Sequence, residues 1–122
     1  MTSLSVTDPY IALTKGGDPK TVVPDEYIVV RGGQKPMPPA GTTFSGATGA
    51  TLEEAGSGVP HSTIRQTTAG EIRSKGGIVE LKPEPARSGM INTKHVDITE
   101  GSVPSVFSDP LPNPVPKNQR IQ

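Results

Sequence analysis

Four short stretches of this chain carry a strand-like pattern, and glycine and proline separate them. Residues 27–31 form a β-branched and aromatic run that closes at Gly32-Gly33, which is typical of a strand followed by a tight turn. Residues 78–82 and 94–99 alternate between apolar and polar side chains. Residues 42–45 fit a weaker extended segment. The pattern therefore predicts several short strands.

The alternation also predicts which side chains of two strands are buried. Val79 and Leu81 share one face of the strand over residues 78–82. In the strand over residues 94–99, the same period buries Val96 and Ile98. We expect its other face to carry exposed polar side chains, namely His95, Asp97 and Thr99.

Capping signals predict two short helices in the middle of the chain. Residues 51–55 begin with a threonine, carry two acids in the first turn and stop at Gly56, so we expect one or two helical turns. Thr68 precedes Glu71 in a capping-box pattern, and Gly76-Gly77 offers a left-handed cap, so we expect a helix over residues 68–75. The segment over residues 61–68 fits either an extended or a helical conformation.

Glycine and proline, 14 of each in 122 residues, mark the domain boundaries. We expect an irregular arm over residues 1–25 and a small α+β domain over residues 26–101, with short helices followed by an antiparallel sheet. Residues 102–122 form a proline-rich tail that cannot join the centre of a sheet. The side chains able to hold it on the domain are Phe107, Leu111 and Val115. The frequent breakers exclude a helical bundle or a coiled coil.

Several classes of protein are excluded by what the sequence lacks. Without cysteine there is no disulfide and no thiolate site. No apolar stretch approaches the roughly 18 residues of a membrane span, and no signal peptide pattern is present. We therefore expect a cytoplasmic protein or a delivered effector, with no membrane association. Twelve basic and twelve acidic residues cancel, which weakens general affinity for nucleic acid.

His61 and Arg65 are the first candidates for a functional site. An extended chain places them on one face by its period of two, and a helix does so at a spacing of four residues. We therefore expect the two side chains to point the same way in either conformation. The simpler alternative is that His61 and His95, the two histidines of the chain, are ordinary surface or supporting residues.

Histidine beside arginine and hydroxyl groups fits the cleavage of RNA without a metal. This reaction needs a base for the 2′-OH, an acid for the leaving oxygen and a cation for the charge on phosphorus. Histidine transfers protons near neutral pH. We assign proton transfer to His61 and His95, phosphate stabilisation to Arg65 and substrate positioning to the hydroxyl of Thr67.

Other basic side chains of the same region would bind the RNA. A local patch is expected from Arg73, Lys75 and Lys94. The sequence has no phosphate-binding glycine loop and no histidine and acid cluster with metal-ligand spacing. We therefore expect neither a metal nor a cofactor.

The pattern of residues 51–100 resembles the small bacterial ribonuclease toxins of the barnase–EndoU–colicin–RelE group. The resemblance lies in residues 60–68, in the helix end at residues 75–77 and in residues 94–97. It implies a metal-independent endoribonuclease that acts through side chains such as His, Arg, Lys and Thr. It also implies RNA as the substrate and a cognate immunity or antitoxin protein as a partner.

Two other functions remain open at this point. Residues 27–33 resemble the first strand of ADP-ribosyltransferases, in which Arg31 would hold the cofactor phosphates, and residues 42–45 would supply the hydroxyl-bearing strand. The Glu-x-Glu of that family is missing, so Glu80 or Glu100 would have to act alone. The third function is a non-enzymatic binding module, whose proline-rich tail would fit an aromatic groove.

Overall fold

The computed structural model describes residues 23–122, which form a sheet with short helices and an additional hairpin. Residues 1–22 of the predicted N-terminal arm lie outside the described residues. In chain order the elements are β1 (Ile28–Gly32), β2 (Thr43–Gly49), α1 (Leu52–Ser57), β3 (Thr63–Thr68), α2 (Ala69–Ser74), β4 (Ile78–Leu81), β5 (Glu84–Pro85), β6 (Ile91–Asn92), β7 (His95–Thr99), β8 (Leu111–Pro112) and a 3₁₀ turn (Lys117–Gln119).

The main sheet has six strands in the order β4-β7-β2-β1-β3-β8. Every neighbouring pair is antiparallel, and β5 and β6 form a separate antiparallel hairpin. The predicted α+β class with an antiparallel sheet is therefore confirmed. The segment that the sequence left open is extended, since most of it forms β3.

Both faces of the sheet are covered, as the buried valines of β1 show. Successive side chains of a strand point to opposite faces, and both Val29 and Val30 are 0% exposed. Val29 packs in the cluster that includes Ile72 of α2, whereas Val30 packs in the cluster that includes Ala55 of α1. We call these two sides the α2 face and the α1 face.

The helix caps form as the sequence predicts. The Thr51 hydroxyl accepts a hydrogen bond from the Glu54 amide at 3.1 Å, and the Thr68 hydroxyl accepts one from the Glu71 amide at 3.1 Å. Gly76 has a φ of +83°, which is the left-handed conformation expected after α2. These local signals fix both helices to within two residues of the predicted bounds.

The strand β2 is longer and more central than the weak extended segment that the sequence predicts. It covers seven residues and lies between β1 and β7. Its glycines explain why the pattern is weak. A Cβ at Gly49 would lie 2.5 Å from the Cβ of Glu54, so glycine lets α1 approach the strand closely.

The strands β4 and β7 bury the predicted apolar residues, but one polar prediction is wrong. The buried set contains Val79, Leu81, Val96 and Ile98, as expected. His95, which the alternation predicts to be exposed, is only 8% exposed, and Asp97 and Thr99 are half-buried. The reason is that the β5–β6 hairpin covers this end of β7, where Glu84 lies against the His95 ring.

The proline-rich segment after residue 101 packs along the domain. Phe107 and Val115 are buried, Leu111 is half-buried, and β8 joins the outer edge of the sheet beside β3. Because β8 is an edge strand, its proline, which has no N–H, removes no hydrogen bond from the interior of the sheet. The segment therefore contributes to the core and completes one edge of the sheet.

Candidate active site

A cavity of about 730 Å³ opens beside the ends of β1 and β2, under the β5–β6 hairpin. Both histidines of the chain line it, although they are 34 residues apart in the sequence. Its ionisable and hydroxyl side chains are Ser45, His61, Glu84, Arg87 and His95, whereas Arg31 borders it from a strand position whose side chain points to the α2 face. This set brings together proton-transfer groups and a cation at one open surface.

His61 reaches the cavity from the loop between α1 and β3, where it is exposed. Its imidazole occupies the space above Gly32, since any Cβ at that position would collide with the ring. Its backbone carbonyl accepts a hydrogen bond of 3.0 Å from the side-chain amide of the buried Asn113. Among residues 23–122 the ring itself has no hydrogen-bond partner, so its nitrogens are available to a ligand.

His95 lies at the start of β7 with both ring nitrogens beside oxygen acceptors. Its Nδ1 is 2.9 Å from the Lys82 carbonyl oxygen, and its Nε2 is 3.4 Å from Oε1 of Glu84. A carbonyl only accepts hydrogen bonds, so the Nδ1 contact is made by an N–H group, and Glu84 lies within ion-pair distance of Nε2. The site thus holds one histidine with neighbours at both ring nitrogens and one with an unengaged ring.

The two arginines that border the cavity place their guanidinium groups on different sides of the sheet. The Arg31 guanidinium lies 5.1 Å from the centre of the Phe44 ring, and its Nη1 contacts the Met37 sulfur at 3.6 Å. The Phe44 contact is a cation–π interaction that fixes the Arg31 side chain. Arg87 is exposed at the turn of the hairpin, and no other described side chain pairs with it. The Arg31 guanidinium therefore lies on the α2 face, and Arg87 is the cation that the cavity offers.

Arg65 and Thr67 lie on the α2 face, away from the cavity. Arg65 is directly opposite Arg31 in the β1–β3 ladder, and Thr67 is opposite the buried Val29. Arg65 donates to the carbonyls of Ser108 at 3.2 Å and Gln34 at 3.4 Å. The expectation that His61 and Arg65 point the same way is wrong, because His61 precedes β3 and its loop carries the ring over Gly32 to the α1 face.

The predicted basic patch is divided between different parts of the molecule. Arg73 on α2 forms an ion pair of 2.6 Å with Asp25, and Lys75 is exposed at the end of the same helix. Lys94 lies instead in the turn before β7, where it lines a second cavity of about 510 Å³. Of the three predicted substrate-binding residues, the structure therefore places Lys94 alone near the histidines.

Sequence reasoning missed three residues that shape the site. Glu84 and Arg87 belong to the long loop over residues 83–93, which carried no pattern beyond its length. Asn113, in the proline-rich segment, donates to both Gly56 and His61 carbonyls at 3.0 Å. A signal was present for Asn113, because it is two residues from both Leu111 and Val115. A strand-like period of two therefore places it on the same inward face as these apolar residues.

The part of the chain that the structure describes contains no cluster of three histidine or acid side chains that could hold a metal ion. None of its helices has the length and the apolar character that a membrane crossing requires. No protein-family model matches the chain, and neither the curated proteins nor the solved structures provide a match. The chemistry of the cavity is therefore the basis on which a function is assigned.

Proposed function

We propose that this protein is a metal-independent endoribonuclease in which His61 and His95 transfer the protons. The observation that carries the proposal is that both histidines line one open cavity together with Arg87. Acid–base cleavage of a phosphodiester needs proton-transfer groups on two sides of a phosphate and a cation beside it.

His61 acts as the general base in this proposal. Its exposed ring has no hydrogen-bond partner among the described residues, so a ring nitrogen is open to the 2′-OH whose proton it accepts in this proposal. Histidine is the side chain whose ordinary protonation range suits this transfer near neutral pH. Asn113 supports this role, because its side chain donates a hydrogen bond to the His61 backbone carbonyl.

His95 acts as the general acid. Its Nδ1 is engaged by the Lys82 carbonyl, so Nε2, beside the Glu84 carboxylate, is the nitrogen that delivers the proton to the leaving oxygen. Glu84 is about half exposed, so substrate entering the cavity can displace this 3.4 Å contact and take its place beside Nε2. The Lys82 carbonyl keeps the ring oriented throughout.

Arg87 replaces Arg65 as the group that stabilises the phosphate. Arg87 lines the cavity, whereas Arg65 is bound to two carbonyls on the α2 face. The exposed Arg87 can form a bidentate pair with two phosphate oxygens. The Arg31 guanidinium packs against Phe44 on the α2 face and takes no part in phosphate binding.

The reaction proceeds by transesterification within the substrate. His61 removes the proton of the 2′-OH, and the 2′ oxygen bonds to phosphorus. The bond between phosphorus and the 5′ oxygen breaks, and His95 gives its proton to that oxygen. The products are a 2′,3′-cyclic phosphate and a free 5′-hydroxyl, and water returns the two histidines to their starting protonation states.

The test is to incubate the purified protein with labelled RNA in EDTA and to analyse the ends of the products. We expect cleavage with 2′,3′-cyclic phosphate ends, and resistance of a substrate with 2′-deoxyribose at the cleaved position. His61→Ala should lower the rate by roughly 10²–10⁴-fold. Lys35→Gln, which changes an exposed side chain outside the cavity, is the control. Intact RNA, or full activity in His61→Ala, would overturn the proposal.

The alternative of ADP-ribosyl transfer receives no support from the cavity, because the side chains of Arg31 in β1 and Ser45 in β2 lie on opposite faces of the sheet. Labelled NAD tests this alternative directly, since it would require modification of a target protein that Arg31→Ala abolishes. If RNA and NAD both remain intact and a stable partner is recovered, the protein is a binding module.

A further inference from the structure

The second cavity adjoins the candidate active site and continues from it. It measures about 510 Å³ and lies between the β5–β6 hairpin, the turn before β7 and the C-terminal residues. Gly58, Asn92, Ile121 and Gln122 line both cavities, so they form the wall between them. A ligand longer than the first cavity can therefore extend across this wall into the second.

Positive side chains line the second cavity without acidic ones. Lys94 and Arg120 are its charged side chains, and no aspartate or glutamate of residues 23–122 faces it. The chain as a whole has no net charge, so this concentration of cations is local. A local positive surface attracts an anion even when the net charge does not.

Each of the two cations has an N–H group that can bind a ligand. Arg120 is held by hydrogen bonds from Nε to the Val115 carbonyl at 2.8 Å and from Nη1 to the Pro60 carbonyl at 3.0 Å. Its Nη2 and the Lys94 ammonium have no partner among the described residues. One cation is thus fixed by the protein backbone, and the other is free to adjust.

An apolar surface stands beside these cations. Met90 and Ile91, at the tip of the hairpin, also line the second cavity, and they are 67% and 56% exposed. Exposed apolar side chains next to cations suit a ligand that is anionic on one side and flat and apolar on the other. A nucleotide has this composition, with its phosphate and its base.

We propose that the second cavity is a subsite for the neighbouring nucleotide of a single-stranded RNA, in which Lys94 binds the adjacent phosphate and the hairpin tip contacts the base. This inference rests on the proposed ribonuclease function. Single-stranded RNA is the suitable form, because its bases can turn outward into cavities that a duplex cannot enter. The enzyme should therefore prefer an oligonucleotide to a dinucleotide.

The experiment compares Lys94→Gln with wild type on a dinucleotide and on a single-stranded RNA of about eight nucleotides. On the longer RNA, kcat/KM should fall by roughly three- to tenfold at low salt, and the slope of log KM against log salt should decrease by about 0.7. On the dinucleotide, which spans only the first cavity, the variant should match wild type. Lys94→Arg should restore most of the loss, and Lys35→Gln should show none.

The outcomes separate the subsite from the proposed function. Equal effects of Lys94→Gln on both substrates, or wild-type activity that does not increase with RNA length, would overturn the subsite and leave the ribonuclease function in place. Failure of the wild type to cleave either substrate would overturn the function and the subsite together. A melting temperature unchanged in Lys94→Gln shows that any loss comes from binding rather than unfolding.

Discussion

The two faces of the sheet are packed by side chains of different size. On the α2 face, large apolar residues fill the space between sheet and helix, among them Val29, Ile72, Ile98 and Phe107. On the α1 face, β2 presents Thr43, Ser45, Ala47 and Gly49, and the buried cluster there is smaller. The histidine-lined cavity opens on the α1 face, where small residues leave room.

This difference assigns most of the stability to the α2 face and the candidate chemistry to the α1 face. Close packing of large apolar side chains provides most of the free energy of folding, so the α2 face is the main stabilising layer. The α1 face keeps short side chains near β1 and β2, and a glycine at position 32 makes space for the His61 ring. Substitutions on one face should therefore change stability, and substitutions on the other should change activity.

The largest expected effect is on the α2 face. Ile72 is 1% exposed and packs among the buried apolar residues, so Ile72→Ala should lower the free energy of unfolding by about 2–5 kcal/mol. Urea denaturation followed by circular dichroism measures this change. Ile78→Ala removes the same atoms from a side chain that is 44% exposed, and it should cost about 1 kcal/mol or less. Equal losses would show that the α2 face is not the main core.

The packed face is also the part that the sequence predicts well. The signals there are local: the capping threonine of α2, the glycine that ends it and the alternating residues of β4 and β7 each specify their own structure. The strand β2 was underestimated because Gly46 and Gly49 have low strand propensity. Glycine is needed at position 46 because Ile98 of β7 lies close to it, and at position 49 because Glu54 of α1 does. Neither contact can be seen in the local sequence.

The site was predicted only in part, because its geometry depends on contacts between distant segments. Both histidines were identified from residue type, and they do share a cavity. The partners of His95 come from residues 82 and 84, and that of His61 from residue 113. Periodicity describes one segment at a time, so it placed Arg65 beside His61 although the chain turns between them.

Gly32→Ala should affect activity more than stability. Its φ lies outside the left-handed region, so alanine fits the backbone, but its Cβ would displace the His61 ring. We expect the rate of RNA cleavage to fall by roughly 10²-fold or more, because the general base loses its position. In a His61→Ala background the same substitution should add little, and this double-mutant cycle is the control. Additive losses would mean that Gly32 acts through something other than His61.

Asn113→Ala tests the link between the proline-rich segment and the α1 face. The side chain donates to the Gly56 and His61 carbonyls and accepts from the Val115 amide, and it is 9% exposed. Leaving these backbone groups without partners should lower the free energy of unfolding by about 1–3 kcal/mol and also reduce RNA cleavage. Asn118→Ala, at an exposed position, should change stability little. Equal stabilities of the two variants would contradict this role.

The smallest expected effects come from the two helix caps, one over each face. Thr51→Ala and Thr68→Ala each remove one hydrogen bond to a helix amide, so each should lower the free energy of unfolding by about 1 kcal/mol. Serine at either position keeps the acceptor and should retain most of the stability. Amide hydrogen exchange should show faster opening of α1 alone in Thr51→Ala and of α2 alone in Thr68→Ala, because the sheet separates the helices. Simultaneous opening of both helices in either variant would show that the two faces unfold as one unit.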